Sequence, residues 1–188
     1  KKLFIVVNVD WFFLSHRKEI ALRAKDEGFK VTIITKNSGH RSVIEQLGLN
    51  FIDLPIKRTS QSLLSDLIAG HFLYKIYKKE KPDVIHHVGL KVVLLGGLVA
   101  KFLNSKGVVS AISGLGISFS ENQMNFIARS ILTLTLRSCH SSSKVKVIFQ
   151  NEDDREIFLR NQIIDDSQSL LIKGSGIDLA EYYSTPEP

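Results

Sequence analysis

Apolar residues along this chain gather in short runs, several rich in β-branched side chains, separated by longer stretches with helical spacing. Residues 3–9 (LFIVVNV), 30–35, 50–54, 83–87, 108–112, 145–149 and, more weakly, 170–172 each read as a buried strand. Helices are expected over 16–28, 41–47, 63–79, 92–103, 123–136 and 152–160. Ser15 and Asn151 stand where N-caps belong, and Gly28 and Gly48 where helices stop. Lys75, Lys78 and Lys79 suit the negative end of the 63–79 helix. The clearest unit runs from Pro82 to Gly116: strand, helix, strand and a glycine turn. Such a βαβ crossover is almost always right-handed and builds a parallel sheet. The whole pattern predicts an α/β fold, a doubly wound, mostly parallel seven-stranded Rossmann-like sheet. Residues 11–14 (WFFL) are expected in a loop, covering the core or presenting an apolar surface.

In such sheets ligands bind beyond the carboxyl ends of the strands, near the reversal of strand order. Those ends carry His86, His87 and Lys91 after one strand and Ser113-Gly114-Leu115-Gly116 after the next. Adjacent strand residues point to opposite faces, so His86 and His87 cannot chelate one metal together. One packing and one solvated is the plain expectation; a ligand contact is the other. Lys91, near a helix start, opposes the dipole, which suits either an anionic ligand or a solvated lysine. The glycines at 114 and 116 let backbone approach a ligand, or simply form a loop. Ser15-His16-Arg17 puts a titratable ring and a guanidinium beside the end of the first strand, as chemistry or as capping.

Composition narrows the class. The chain has 188 residues, 44% hydrophobic and 23% charged, which fits one globular domain over 1–173 followed by a linker-like tail at 174–188. The longest uncharged apolar stretch, 92–100, is well short of the roughly 20 residues that span a bilayer, and the start has no leader pattern. Cys139 is the one cysteine, so neither a disulfide framework nor a cysteine metal site is expected, which favours the cytoplasm. The net charge of +6 leaves a phosphate-bearing ligand or a lipid surface open, while no nucleic-acid motif accompanies it. A glycine fingerprint after the first strand, a Walker loop and a GxSxG elbow are all absent.

Taken in order, DWFFLSHR at 10–17, KPDVIHH at 81–87, Lys91, AISGLG at 111–116, FQN at 149–151 with Asp154, and GID at 176–178 resemble the N-terminal half of family 4 glycosyltransferases. The likeness is to bacterial enzymes that extend sugars on polyprenyl-diphosphate carriers in polysaccharide and cell-envelope biosynthesis. It implies a GT-B fold: this chain as the acceptor-binding domain, and an absent second domain holding most of the nucleotide-sugar. Gly176-Ile177-Asp178 resembles the hinge between the two. Many members have a glycine-rich first loop where this chain has Val9-Asp10-Trp11, and a histidine after the fifth strand where it has Ser113-Gly114.

The resemblance implies a retaining hexosyltransferase, with the departing diphosphate taking the acceptor proton and no metal or cofactor required. Asp10 and His16 are the candidate catalytic residues. Arg17 joins them at the first cleft edge, with His87 and Lys91 at the second. Ser113, Gly114 and Gly116 would shape the pocket, and Lys57 and Arg58 would meet an acceptor diphosphate. The expected partners are a nucleotide-sugar, a polyprenyl-diphosphate-linked or other glycan acceptor, and the anionic inner-membrane surface. The location is then cytoplasmic, with peripheral membrane contact through 63–79 and through 127–146, which carries Arg129, Arg137, Lys144 and Lys146. This chain alone is expected to be inactive. A non-catalytic sugar-phosphate-binding module, or a nucleotide-sugar epimerase of the same architecture, is the alternative.

Overall fold

The computed structural model describes residues 1–56, 63–112, 114–115, 125–174 and 176. Among them seven strands form one sheet: β1 (Lys2–Val9), β2 (Lys30–Lys36), β3 (Asn50–Asp53), β4 (Val84–Val88), β5 (Val108–Ile112), β6 (Val145–Phe149) and β7 (Ser169–Leu171). Their order is β3-β2-β1-β4-β5-β6-β7, and every neighbouring pair is parallel. The chain first builds outward from β1 to β3, then crosses over and builds from β4 to β7. Strand order therefore reverses between β1 and β4, and the doubly wound sheet expected from the hydrophobic pattern is present.

Period-2 alternation along each strand separates two apolar layers. Phe4, Val6, Ile34, Ile85, Val108, Ile112, Val147 and Phe149 pack under α4 (Leu63–Glu80), α5 (Leu90–Phe102), α6 (Phe126–His140) and α7 (Glu152–Arg160). Leu3, Ile5, Val7, Val31, Ile33 and Phe51 face α1 (Asp10–His16), α2 (Lys18–Asp26) and α3 (Arg41–Gln46), which supply Phe13, Ala21 and Ile44. Each buried Val, Leu, Ile or Phe side chain among these contributes roughly 1.5–3 kcal/mol of burial free energy.

Two local expectations are corrected. Residues 10–14 form the first turns of α1 rather than a loop, because one turn of helix drives Phe13 fully into the core. Ser15 caps nothing; its hydroxyl donates back to the Trp11 carbonyl at 3.0 Å from inside the helix. The chain then breaks at Arg17 (φ −133°) before α2, whose end is followed by Gly28 in the left-handed region at φ 82°. Asn125 and Asn151 cap α6 and α7 through their side chains, accepting from Ala128 and Asp154 amides at 2.8 Å each.

The outer surfaces of α4 and α6 are segregated along the helix axes. In α4 the exposed positions are Leu63, Leu64, Leu67 and Ile68 at the start, His71 in the middle, and Lys75, Lys78 and Lys79 near the end. In α6 they are Phe126, Ile127, Ile131 and Leu134, followed by Arg137. Helix starts lie at the carboxyl ends of the strands in this architecture, so the apolar ends flank that rim.

Candidate functional site

The rim at β1 and β2 is organised by Asp10. Its carboxylate is fully buried and accepts five hydrogen bonds. Oδ1 takes the Trp11 amide at 2.8 Å, the Ser38 hydroxyl, and His40 Nδ1 at 3.3 Å. Oδ2 takes the amides of Ser38 at 2.7 Å and His40 at 3.0 Å. Burial by itself would raise the carboxyl pKa. The Ser38 hydroxyl and the Ser38, His40 and Trp11 amides outweigh it and bring the value to about 2. Asp10 is thus ionised at neutral pH and clamps the β2–α3 loop onto the head of α1. Its outward link is His40, whose side chain is 43% exposed.

His16 and Arg17 diverge from there. The His16 ring is exposed, stacked on Phe12 with centroids 4.3 Å apart, and its Nδ1 is 2.6 Å from Ser15 Oγ. Arg17 is 5% exposed, and its Nη1 donates to the His16 carbonyl at 2.8 Å. Burial lowers the Arg17 pKa. Burial first, and the Arg17 charge second, bring His86 down to about 4. His86 Nδ1 donates to the Val109 carbonyl at 3.3 Å.

Both histidines of β4 are buried, so the expectation of one solvated ring is not met. His87 lies within the layer beneath α4 and α5 rather than at the cleft edge. Its Nε2 shares a hydrogen bond of 3.0 Å with Tyr77 Oη. Burial, with the neighbouring His86 and His140 rings, holds its pKa near 3, and the ring is neutral. Gly96 makes room for it: a methyl there would overlap the imidazole, with Cδ2 only 2.6 Å away. Lys91, in the first turn of α5, has an anion of its own: Nζ is 2.6 Å from Asp66 Oδ1 on the first turn of α4.

On the far side of the reversal point, Gly114 has φ 120° with open space where a Cβ would stand. The next residue, Leu115, is buried, and its amide donates to both carboxylate oxygens of Asp154 at 3.2 Å. Asn151 Nδ2 braces the same carboxylate at 3.0 Å. Leu115, just after β5, is therefore anchored on the head of α7. Lys57, Arg58, Ser113 and Gly116 lie outside the described residues.

The fold thus gathers Asp10, Ser38 and His40 at one point of the rim, sets Gly114 and the Lys91–Asp66 pair on other parts of it, and takes His87 below it. Sequence reasoning missed Ser38, His40, Tyr77 and Asp66. The one available signal was the polar SGH between the second strand and its helix. Among the described residues no cluster of histidine, cysteine and carboxylate groups fits a metal ion. No helix there is long and apolar enough to cross a membrane. A polar hollow of about 650 Å³, lined by Arg137, Lys146 and Gln168 among others, lies at the opposite end of the sheet.

Comparison with known proteins agrees with this architecture. The family model described as glycosyl transferase 4-like matches residues 2–151. A UDP-Gal:alpha-D-GlcNAc-diphosphoundecaprenol alpha-1,3-galactosyltransferase of Escherichia coli is 24% identical over 157 residues, which cover 84% of this chain and 39% of that protein. Among solved structures, UDP-GlcNAc 2-epimerase from Methanocaldococcus jannaschii superposes with a TM-score of 0.62 at 23% identity, over 91% of this chain and 45% of its own. MurG from Acinetobacter baumannii gives 0.60 at 13% identity, over 97% and 48%. The chain therefore spans less than half the length of each of these proteins. The structural likenesses are likenesses of fold. With four-fifths of its length matched by the family model, the chain belongs to the glycosyl transferase 4-like family.

Proposed function

We propose that this chain is the acceptor-binding half of a retaining glycosyltransferase that moves a sugar from a nucleotide-sugar to a lipid-linked glycan of the cell envelope. The observation that carries the reading is the match, along 84% of the chain, to an enzyme named for a diphosphoundecaprenol-linked acceptor. A second domain, joined through residues 174–188, supplies most of the donor contacts. The cleft between the two is bounded on this side by the carboxyl rim of the sheet.

Asp10 organises the first edge of that cleft, with His16 and Arg17 beside it. Lys91, set by Asp66, marks the second edge. Ser113, Gly114 and Gly116 shape the floor, and Lys57 and Arg58 meet the acceptor diphosphate as charge-assisted donors. His87 supports β4 from within the core and does not touch the acceptor. In the transfer, the bond from the anomeric carbon to the donor diphosphate breaks and that carbon bonds to the acceptor oxygen. The departing diphosphate takes the acceptor proton, so the protein's work is orientation and charge stabilisation.

A lipid-linked acceptor stays in its membrane, so the enzyme works at the cytoplasmic surface. The exposed apolar starts of α4 and α6 flank the rim, with lysines and an arginine toward the far ends. That order suits shallow insertion beside the cleft with cations at anionic headgroups.

The test is a transfer assay of the full-length protein with a panel of UDP-sugars against a synthetic GlcNAc-diphospho-lipid. Transfer of a sugar with retained anomeric configuration supports the reading. Conversion of the UDP-sugar to its epimer, without transfer, replaces it with the epimerase alternative.

A further inference from the structure

We infer that His40 is a sugar-hydroxyl-binding residue of the rim, oriented by Asp10; this rests on the transferase reading above. The β2–α3 loop brings the two together across 30 positions of sequence. His40 Nδ1 faces Asp10 Oδ1 at 3.3 Å, and the Ser38 hydroxyl donates to the same oxygen. The His40 amide also donates to Oδ2 at 3.0 Å, so backbone and ring of one residue are held by one carboxylate.

That arrangement fixes the chemistry the ring offers. An ionised carboxylate only accepts hydrogen bonds, so the Nδ1 that faces it carries a proton, and a ring with that single proton leaves Nε2 bare. Nε2 is then a lone-pair acceptor. The carboxylate is fully buried, whereas the His40 side chain is 43% exposed. The loop leaves the carboxyl end of β2, one strand from the point of reversal, where α/β sheets bind ligands.

An acceptor lone pair discriminates between the two chemistries that a nucleotide-sugar or a lipid-linked glycan brings. Phosphate oxygens offer no proton at neutral pH and make no hydrogen bond to that lone pair. A sugar hydroxyl donates to Nε2 and keeps its own oxygen free to accept from elsewhere. Asp10 acts through His40 as a positioning residue, which gives its burial a purpose at the rim without contact to substrate.

The experiment uses the full-length enzyme with His40→Ala and His40→Gln, assayed with the parent substrates and with singly deoxygenated acceptor and donor sugars. Loss of one neutral hydrogen bond lowers kcat/KM by about 3- to 10-fold. His40→Ala is expected to show that loss on the parent substrates, and no further loss on the one deoxy sugar whose missing hydroxyl met the ring. His40→Gln, which keeps an acceptor atom near the Nε2 position, is expected to recover most of the rate. Coupling to a deoxy acceptor assigns the hydroxyl to the acceptor, and coupling to a deoxy donor assigns it to the donor. If His40→Ala is as active as wild type, or loses the same further factor on every deoxy sugar, the inference is overturned while the transferase reading stands. Wild-type enzyme that transfers no sugar to any lipid-linked acceptor overturns both.

Discussion

Tyr77 Oη lies 3.0 Å from His87 Nε2, inside the layer that α4 and α5 press onto the sheet. Among the described residues this is the one hydrogen bond of the His87 ring, since Nδ1 is buried without a partner. The pair sits directly under α5, where Gly96 approaches the ring too closely for any side chain. Tyr77→Phe should cost about 1–3 kcal/mol by leaving the ring wholly unsatisfied. Gly96→Ala should cost a similar 1–3 kcal/mol by overpacking. Urea denaturation of the two variants checks both numbers.

Acid should unfold this protein earlier than its carboxylates alone require. His86, His87 and His140 are all buried, and burial lowers each pKa from the ordinary 6.5, to about 4 and about 3 for the first two. Above pH 6.5 these rings are neutral in both states and contribute no pH dependence. Below it the unfolded chain gains protons that the folded one refuses, so stability falls with pH by up to about 1.4 kcal/mol per unit for each ring. The fall ends as pH passes each folded value. Denaturation midpoints between pH 7.5 and 4.5 check this, and His87→Gln should flatten the slope.

Asp10 acts in a lower window. Its folded pKa of about 2 lies below the ordinary 3.8, so its contribution is full above about pH 4 and is lost as pH falls toward 2. Asp10→Ala removes the clamp on Ser38 and His40 and should cost about 2–3 kcal/mol. Hydrogen exchange of the Ser38 and His40 amides should speed up in the variant, while amides of β5 and β6 change little.

Membrane contact makes a separable prediction. Leu64→Glu with Leu67→Glu on α4 should reduce co-sedimentation of the full-length protein with all vesicles. Replacing Lys75, Lys78 and Lys79 by glutamine should instead remove its preference for anionic lipid, by about 1 kcal/mol per cation at most. These positions are exposed, so melting temperatures should stay near wild type. Equal binding by all variants to anionic and neutral vesicles contradicts the assignment.

Much of the fold was legible because strands such as 108–112 and 145–149 are β-branched runs bounded by breaks, and because Asn151 and Gly28 mark helix ends in one residue each. The start of α1 was not legible: four consecutive large apolar residues have no helical period, and only packing of Phe13 decides the turn. At the site, the sequence put polar residues at the right strand ends but not their partners. Asp10 meets Ser38 and His40 from 28 and 30 residues away, and Lys91 meets Asp66 on another helix. His87 read as a rim residue because strand position tells which face a side chain takes only once the covering helices are placed. Tertiary contacts of that kind leave no local pattern.

The central claim is that the carboxyl rim of this sheet holds a lipid-linked glycan, and photo-crosslinking tests it most directly. A diazirine-bearing sugar-diphospho-lipid is irradiated with the full-length protein, and the labelled peptides are mapped. Label on residues 10–17, 37–41 and 114–115, competed away by unmodified acceptor, is the predicted result. Label confined to the opposite end of the sheet, around Arg137 and Gln168, or absent from this chain altogether, would contradict the account.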